Sequence, residues 1–403
     1  MTETLATRGV GGSDAATELE RLTGMLGHCR PIPEATFRKR LDGLRERMAG
    51  AGIDAVWLNA GSNLTYYTGL RWPASERLVG ALVSADGGLD YVGPAFETGT
   101  LKGFMRLEAP LTVWEEHEDP YARVAALARG KSAVLGISPD TPLVTAHALG
   151  AAWPGATGDA THAVLSARMI KDADEIALMQ ATKTATLAVH EATARMLRPG
   201  ISTREVTEFI HTAHKAIGAP GGSTFCIVLF GADTAFPHGV ADPKTLEAGD
   251  MVLIDTGCAI HGYQSDITRS YVFGTPIQHQ RDIWDAEKAC QIAAFEAAKI
   301  GATCASVDAA ARAEAERRGL GPGYTLPGIP HRTGHGIGLD IHEDPYLVGG
   351  DETPLAAGMC FSNEPMIVVP GEFGIRLEDH FYMTDDGPHW FTEPAKSIDD
   401  PFG

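Results

Sequence analysis

The chain has 403 residues, 44% of them hydrophobic and 21% charged, a balance that excludes a disordered or fibrous protein and leaves room for two globular domains. Its 52 acidic against 33 basic side chains give a net charge of −19, which repels phosphate backbones and anionic lipids and sets aside nucleic acid and membrane as partners. The first residues, MTETLATRGV, lack the apolar core of a signal peptide, and Cys29, Cys226, Cys258, Cys290, Cys304 and Cys360 form no CxxC pair, which suits a reducing cytoplasm.

Residues 1–30 mix Gly, Ser, Thr and charge without a period and read as a mobile or loosely packed leader. Phe37, Leu41, Leu44 and Met48 then recur at helical spacing, and Gly50 and Gly52 end the run. DAVWL (54–58) predicts a buried strand, 78–94 a hairpin turned by Asp86-Gly87-Gly88, and AVLGI (133–137) a further strand. This alternation predicts a small α/β domain over 31–167. Residues 168–200 predict one long helix, started by Asp172 with Glu175 and stopped by Pro199-Gly200, so a second domain is expected over 168–403. LTYYTGLRW reads as an exposed-looking turn whose Tyr66, Tyr67 and Trp72 serve either an interface or, equally, an ordinary core.

The second half contains an internal repeat. LEAGDMVLID (246–255) matches LAAGMCFSNE (355–364), pairing Leu246 with Leu355, Gly249 with Gly358 and Asp255 with Glu364. Upstream, Gly200, Ser202 and Val206 align with Gly301, Thr303 and Val307. Each copy carries a His-Gly step, at His238 and His335, and a second acid, Asp266 or Glu378. Two such halves imply a pseudo-two-fold domain with a shared site. Four bare carboxylates brought together would repel and take up protons, and divalent cations remove that penalty. Asp255, Asp266, His335, Glu364 and Glu378 are therefore the candidate ligands, and five ligands that include potential bridges favour two metals. Taken singly, each has an ordinary reading as a turn former, a solvated acid or a loop histidine.

The motifs IDTGCAIHGYQSDITRSYVFG, GHGIGLDIHEDP, NEPMIV and GIRLEDH closely resemble the pita-bread metallopeptidases, in the Xaa-Pro dipeptidase (prolidase) and Xaa-Pro aminopeptidase branch. The resemblance extends to RMIKDADEIALM and NAGSNLTYYTGLRW and covers roughly residues 35–390. It implies an α/β (α+β) chain: a creatinase-like amino-terminal domain followed by a pita-bread catalytic domain. It also implies two divalent ions, Mn²⁺ first, with Co²⁺ or Zn²⁺ as options. Asp255 would hold one ion, His335 and Glu364 the other, with Asp266 and Glu378 bridging. Glu364 would relay a proton, His238 and His342 would meet the substrate, and Arg376 would lie near substrate and ligands, where it could neutralise a dipeptide carboxylate. The implied activity is cleavage before proline in short peptides. Action on longer peptides, or on another small molecule as a hydrolase or lyase, is the alternative. A homodimer is implied, its amino-terminal domain walling the cleft. One departure stands out. Where relatives carry an aromatic residue this chain has Thr224, with Phe225 one position later, so the group that meets substrate there is missing or comes from elsewhere.

Overall fold

Asp14 accepts a hydrogen bond from the Thr17 N–H at 3.0 Å and so starts α1 (Ala15–Arg21) inside the segment expected to be loose. The computed structural model describes residues 7–128 and 133–402, so the first six leader residues fall outside the description. Glu18 of α1 is fully buried and paired with Arg21 and Arg195, which ties the described part of the leader to residues 169–402. The chain divides into two units, Pro31–Arg168 and the remainder.

In the Pro31–Arg168 unit, α2 (Glu34–Ala51) buries Phe37, Leu41, Leu44 and Met48 and closes on Gly52 in the left-handed region. A mixed sheet follows from β1 (Ala55–Asn59), β2 (Gly80–Ser84), β3 (Leu89–Pro94), β4 (Leu111–Trp114), β5 (Leu135–Ile137) and β6 (Thr157–Asp159), in the order β4-β3-β2-β1-β5-β6. The predicted hairpin is β2–β3; the last predicted strand starts two residues late, at Leu135. Around it lie α3 (Ser62–Thr68), α4 (Thr98–Phe104), α5 (Pro120–Ala126), α6 (Leu143–Ala152) and α7 (Thr161–Met169). The exposed-turn reading fails for two of its aromatics. Tyr66 and Tyr67 are buried in α3, edge to face at 4.9 Å, and their hydroxyls donate to the Ala167 and Val164 carbonyls. Only Trp72 stays half-buried, against Phe104.

The helix expected over 168–200 is two helices. Asp172 and Glu175 close a capping box, so α8 runs Ala173–Met196, while Arg168 and Met169 belong to the last turn of α7. α8 is joined by α9 (Thr203–Ala216) and by the sheet β10-β8-β7, built from β7 (Ser223–Phe230), β8 (Met251–Ile260) and β10 (Ile267–Val272), with β9 (Tyr263–Gln264) beside β8. The second half repeats this with α10 (Gln278–Ala297), α11 (Cys304–Arg317) and the sheet β12-β11-β13-β16-β17. Its strands are β11 (Gly334–Gly336), β12 (Glu343–Leu347), β13 (Cys360–Asn363), β16 (Asp379–Thr384) and β17 (Gly387–Trp390), with β14 (Met366–Val369) and β15 (Phe373–Arg376) as a separate hairpin.

The aligned residues of the repeat do the same work in both halves. Gly200 N–H donates to the Leu246 carbonyl at 2.7 Å, and Gly301 N–H to that of Leu355 at 2.8 Å. Ser202 caps α9 and Thr303 caps α11, and Val206 and Val307 are both fully buried. A buried ion pair between Arg269 and Asp379, at 2.7 Å, locks the two halves together beside the acids.

α8 and α9 bury two histidines that enter the fold neutral. Burial, then Arg269, pushes His190 down to about 3; burial, then His211, pushes His214 down to about 4. Unfolded, each takes a proton near 6.5, so the folded state is fully favoured above that pH and loses stability as pH falls towards these values. Each should contribute a slope of about 1.4 kcal/mol per pH unit. In chelated protein, urea midpoints measured from pH 6.5 down to 5 should therefore fall, and His190→Gln should flatten the slope. An unchanged slope would contradict the burial of a neutral His190.

Candidate metal centre

Strand pairing brings the acids together. Asp255 of β8 lies opposite Thr268 of β10, and Thr268 in turn bridges to Glu378, whose N–H donates to the Thr268 carbonyl at 3.1 Å. The Thr268 hydroxyl donates to Glu378 Oε2 at 2.7 Å and accepts from Arg376 Nε at 3.0 Å. The short β9 carries the chain back so that Asp266 sits against Asp255. His335 lies on β11 between Gly334 and Gly336, where a Cβ would come within 2.1 Å of the Ser362 carbonyl and 2.4 Å of the Glu343 carbonyl. Those glycines let two neighbouring backbones close on the strand, so His335 is a buried strand residue rather than a loop histidine. Its Nδ1 faces the Gly336 carbonyl at 3.0 Å, which turns Nε2 to Glu364 Oε1 at 3.1 Å and to Asp266 Oδ2 at 3.7 Å. Ligand atoms of His335, Glu364 and Glu378 all lie within 4.8 Å of one another, as do those of Asp266, His335 and His342.

The electrostatics are those of a site short of positive charge. Three buried carboxyls and the half-buried Glu364 face one guanidinium, Arg376, which reaches Asp255 Oδ2 at 2.5 Å. Burial, then the charges of neighbouring acids, raises Asp266 and Glu378 well above the ordinary carboxylate range. Burial also raises Asp255, against the pull of Arg376. Burial opposes ionisation of Glu364 as well, but the hydrogen bond and charge of His335 outweigh it and hold that carboxyl low. Asp255 Oδ1, Asp266 Oδ1 and Glu378 Oε1 are buried and find no donor among the described residues. Oxygen donors with an imidazole, unsatisfied and converging, fit divalent cations.

Other expected residues take different positions. His342 packs edge-on to His335 with ring centroids 4.2 Å apart, and burial followed by His335 pushes it down to about 4, so it presents a neutral ring. His238 is exposed and lies close enough to His342 for their charges to interact. Arg376 differs from the reading in which it greets a substrate carboxylate. It is 3% exposed and committed to Asp255 and Thr268, so it supports the acids from behind. At Thr224 the pairing of β7 with β8 slips, a bulge that turns Thr224 outward. Phe225 consequently pairs with Gly257, on the same face as Asp255, and its ring lies 3.0 Å from where a Gly257 Cβ would stand. Phe225, one residue after Thr224, thus places an aromatic ring on the Asp255 face.

Two histidines escaped the sequence reading. His331 has its Nε2 buried without a hydrogen-bond partner among the described residues, within electrostatic reach of Glu364. His380 follows Glu378 by two residues and is fully buried, with neither ring nitrogen hydrogen-bonded among the described residues. The strand period of two was the available signal for His380.

A family model described as "Metallopeptidase family M24" matches residues 177–385, and another, "Creatinase/Prolidase N-terminal domain", matches residues 40–170. The curated relatives include a probable dipeptidase PepE from Mycobacterium tuberculosis, 34% identical over 89% of this chain and 95% of the relative. An Xaa-Pro dipeptidase from Lactobacillus helveticus is 30% identical over 89% and 98%. Among solved structures, dipeptidase PepE from Mycobacterium ulcerans has a TM-score of 0.83 at 33% identity, covering 90% of this chain and 97% of that one. The prolidase from Pyrococcus furiosus has a TM-score of 0.75 at 28% identity, covering 87% and 99%.

Proposed function

Because this chain belongs to metallopeptidase family M24, we propose that it is a metal-dependent Xaa-Pro dipeptidase whose ions are held by Asp255, Asp266, His335, Glu364 and Glu378. The observation that carries the reading is the grouping of Asp266, Glu364 and Glu378 around His335, with carboxylate oxygens of Asp255, Asp266 and Glu378 that find no donor among the described residues. When bound, two divalent ions would supply a water acidic enough to ionise near neutral pH and would polarise the scissile carbonyl. Glu364 would take a proton from a water as its oxygen bonds to the scissile carbonyl carbon, and would deliver that proton to the proline nitrogen as the C–N bond breaks. Neutral His342, with His238, donates to the carbonyl oxygen as charge builds on it. Proline needs no partner for an N–H, so a small apolar wall can select it, and Phe225 supplies one beside Asp255.

Mn²⁺ is the first metal to try, and a homodimer and a cytoplasmic location are the matching expectations. No helix of the described residues is long and apolar enough to cross a membrane. The deciding experiment compares Xaa-Pro dipeptides with Xaa-Pro-Yaa tripeptides, before and after chelation and with Mn²⁺, Co²⁺ or Zn²⁺ restored. Dipeptide cleavage lost on chelation and regained with metal is expected. Faster tripeptide cleavage would move the assignment to an aminopeptidase, and no cleavage of either would move it to another small molecule. Phe225→Ala should raise KM for the dipeptide about tenfold or more, the loss of a partly buried aromatic contact, whereas Thr224→Ala should not. Equal effects would return the selecting role to the exposed position.

A further inference from the structure

We propose that His380 is a further nitrogen ligand of the metal pair, coordinating the ion shared by Asp266 and Glu378. The inference deepens the two-metal reading above and rests on it. β16 alternates its side chains, so His380 shares the face of Glu378, two residues before it. His380 also lies opposite Ser362 of β13, whose hydroxyl accepts from the His335 N–H at 2.9 Å and donates to Glu364 at 3.2 Å. That pairing aims the ring into the cluster, and the rings of His335 and His380 stand 6.3 Å apart.

A fully buried imidazole with both nitrogens unbonded is costly, and a nearby unsatisfied acceptor would ordinarily capture its N–H. Here His380 Nε2 stands 4.0 Å from Glu378 Oε1, which finds no donor among the described residues. That separation is too long for a hydrogen bond. It is within the span of two ligand bonds of about 2.0–2.2 Å to one ion. One ligand atom each from Asp266, Glu378 and His380 falls within 4.8 Å of the others, all three residues buried. An ion there would take one atom from each of Asp266, Glu378 and His380, residues whose Asp266 Oδ1, Glu378 Oε1 and ring nitrogens have no hydrogen bond among the described residues. With His335, the centre then carries two imidazoles. A second nitrogen raises affinity for Zn²⁺ and Co²⁺ relative to Mn²⁺, beyond what carboxylates with one histidine would give.

The test is an anomalous difference map at the zinc edge from wild-type crystals grown with Zn²⁺. A peak within about 2.3 Å of a His380 ring nitrogen is expected. Peaks among Asp255, Asp266, His335, Glu364 and Glu378 with none bonded to His380 would overturn the inference and leave the two-metal reading intact. No peak at the cluster would sink that reading itself. In solution, Zn²⁺ affinity measured by competition with a chromophoric chelator should fall at least tenfold in His380→Leu, and Mn²⁺ affinity should fall less. Unchanged Zn²⁺ affinity in a folded variant would overturn the proposal. If His380→Leu fails to fold, His380→Gln replaces it in the same titration, and the crystal result needs no variant.

Discussion

Asp266→Ala should leave a folded protein that retains less than half of its metal and cleaves Xaa-Pro dipeptides at least about a thousandfold more slowly, roughly 4 kcal/mol of transition-state stabilisation. The reasoning starts from burial. In metal-free protein Asp266 is pushed towards its neutral form by burial, by Asp255 and by Glu364, so its removal takes away a strained group and spares the fold. The same strain is what a cation relieves, and Asp266 meets both His335 and Asp255. Losing it therefore weakens both metal positions. Asp255→Ala should cost less, because Asp255 touches one side of the cluster and already has Arg376 at 2.5 Å. Metal analysis, circular dichroism and dipeptide turnover on the two variants check this order. Asp266→Ala with full metal content and ordinary turnover would remove Asp266 from the centre.

How the sequence foreshadowed this site depended on the residue. The repeat was legible because each aligned position answers a local demand: a helix cap at Ser202 and Thr303, a tight return at Gly200 and Gly301, a buried valine at 206 and 307. Such demands leave their mark within a few residues. The long-range partnerships were not legible. Whether Arg376 points outward or back towards the acids depends on Thr268 of β10, 108 residues away, whose hydroxyl receives its Nε. The slip at Thr224 is likewise a property of two strands, since the bulge exists only relative to β8. Tyr66 and Tyr67 read as a turn because α3 is only seven residues long, too short to show its periodicity. His380 was passed over because it stands outside the repeated pattern.

Arg376→Met should lower kcat/KM for Xaa-Pro and for Xaa-Pro-amide by the same factor. The guanidinium is buried and spent on Asp255 and Thr268, so its loss acts through the ligands whichever substrate is offered. Breaking a buried pair leaves a bare carboxylate, a cost of about 3–5 kcal/mol in the metal-free protein. A bound cation neutralises the same carboxylate. Thermal unfolding should therefore show a large loss of stability in chelated protein and a smaller one with metal restored. The free carboxylate of a dipeptide then needs another cation, and Arg332 is the residue to test for that role. Its guanidinium lies 4.5 Å from the centre of the Tyr346 ring, near enough to His342 and His331 to act on both electrostatically, and it has no ion pair among the described residues. A charge-assisted hydrogen bond to a partly desolvated carboxylate contributes on the order of 1.5–3 kcal/mol. Arg332→Ala should accordingly raise KM for Xaa-Pro about ten- to hundredfold while barely moving the amide. A selective loss on Xaa-Pro in Arg376→Met, with none in Arg332→Ala, would reverse the two roles and return the substrate carboxylate to Arg376.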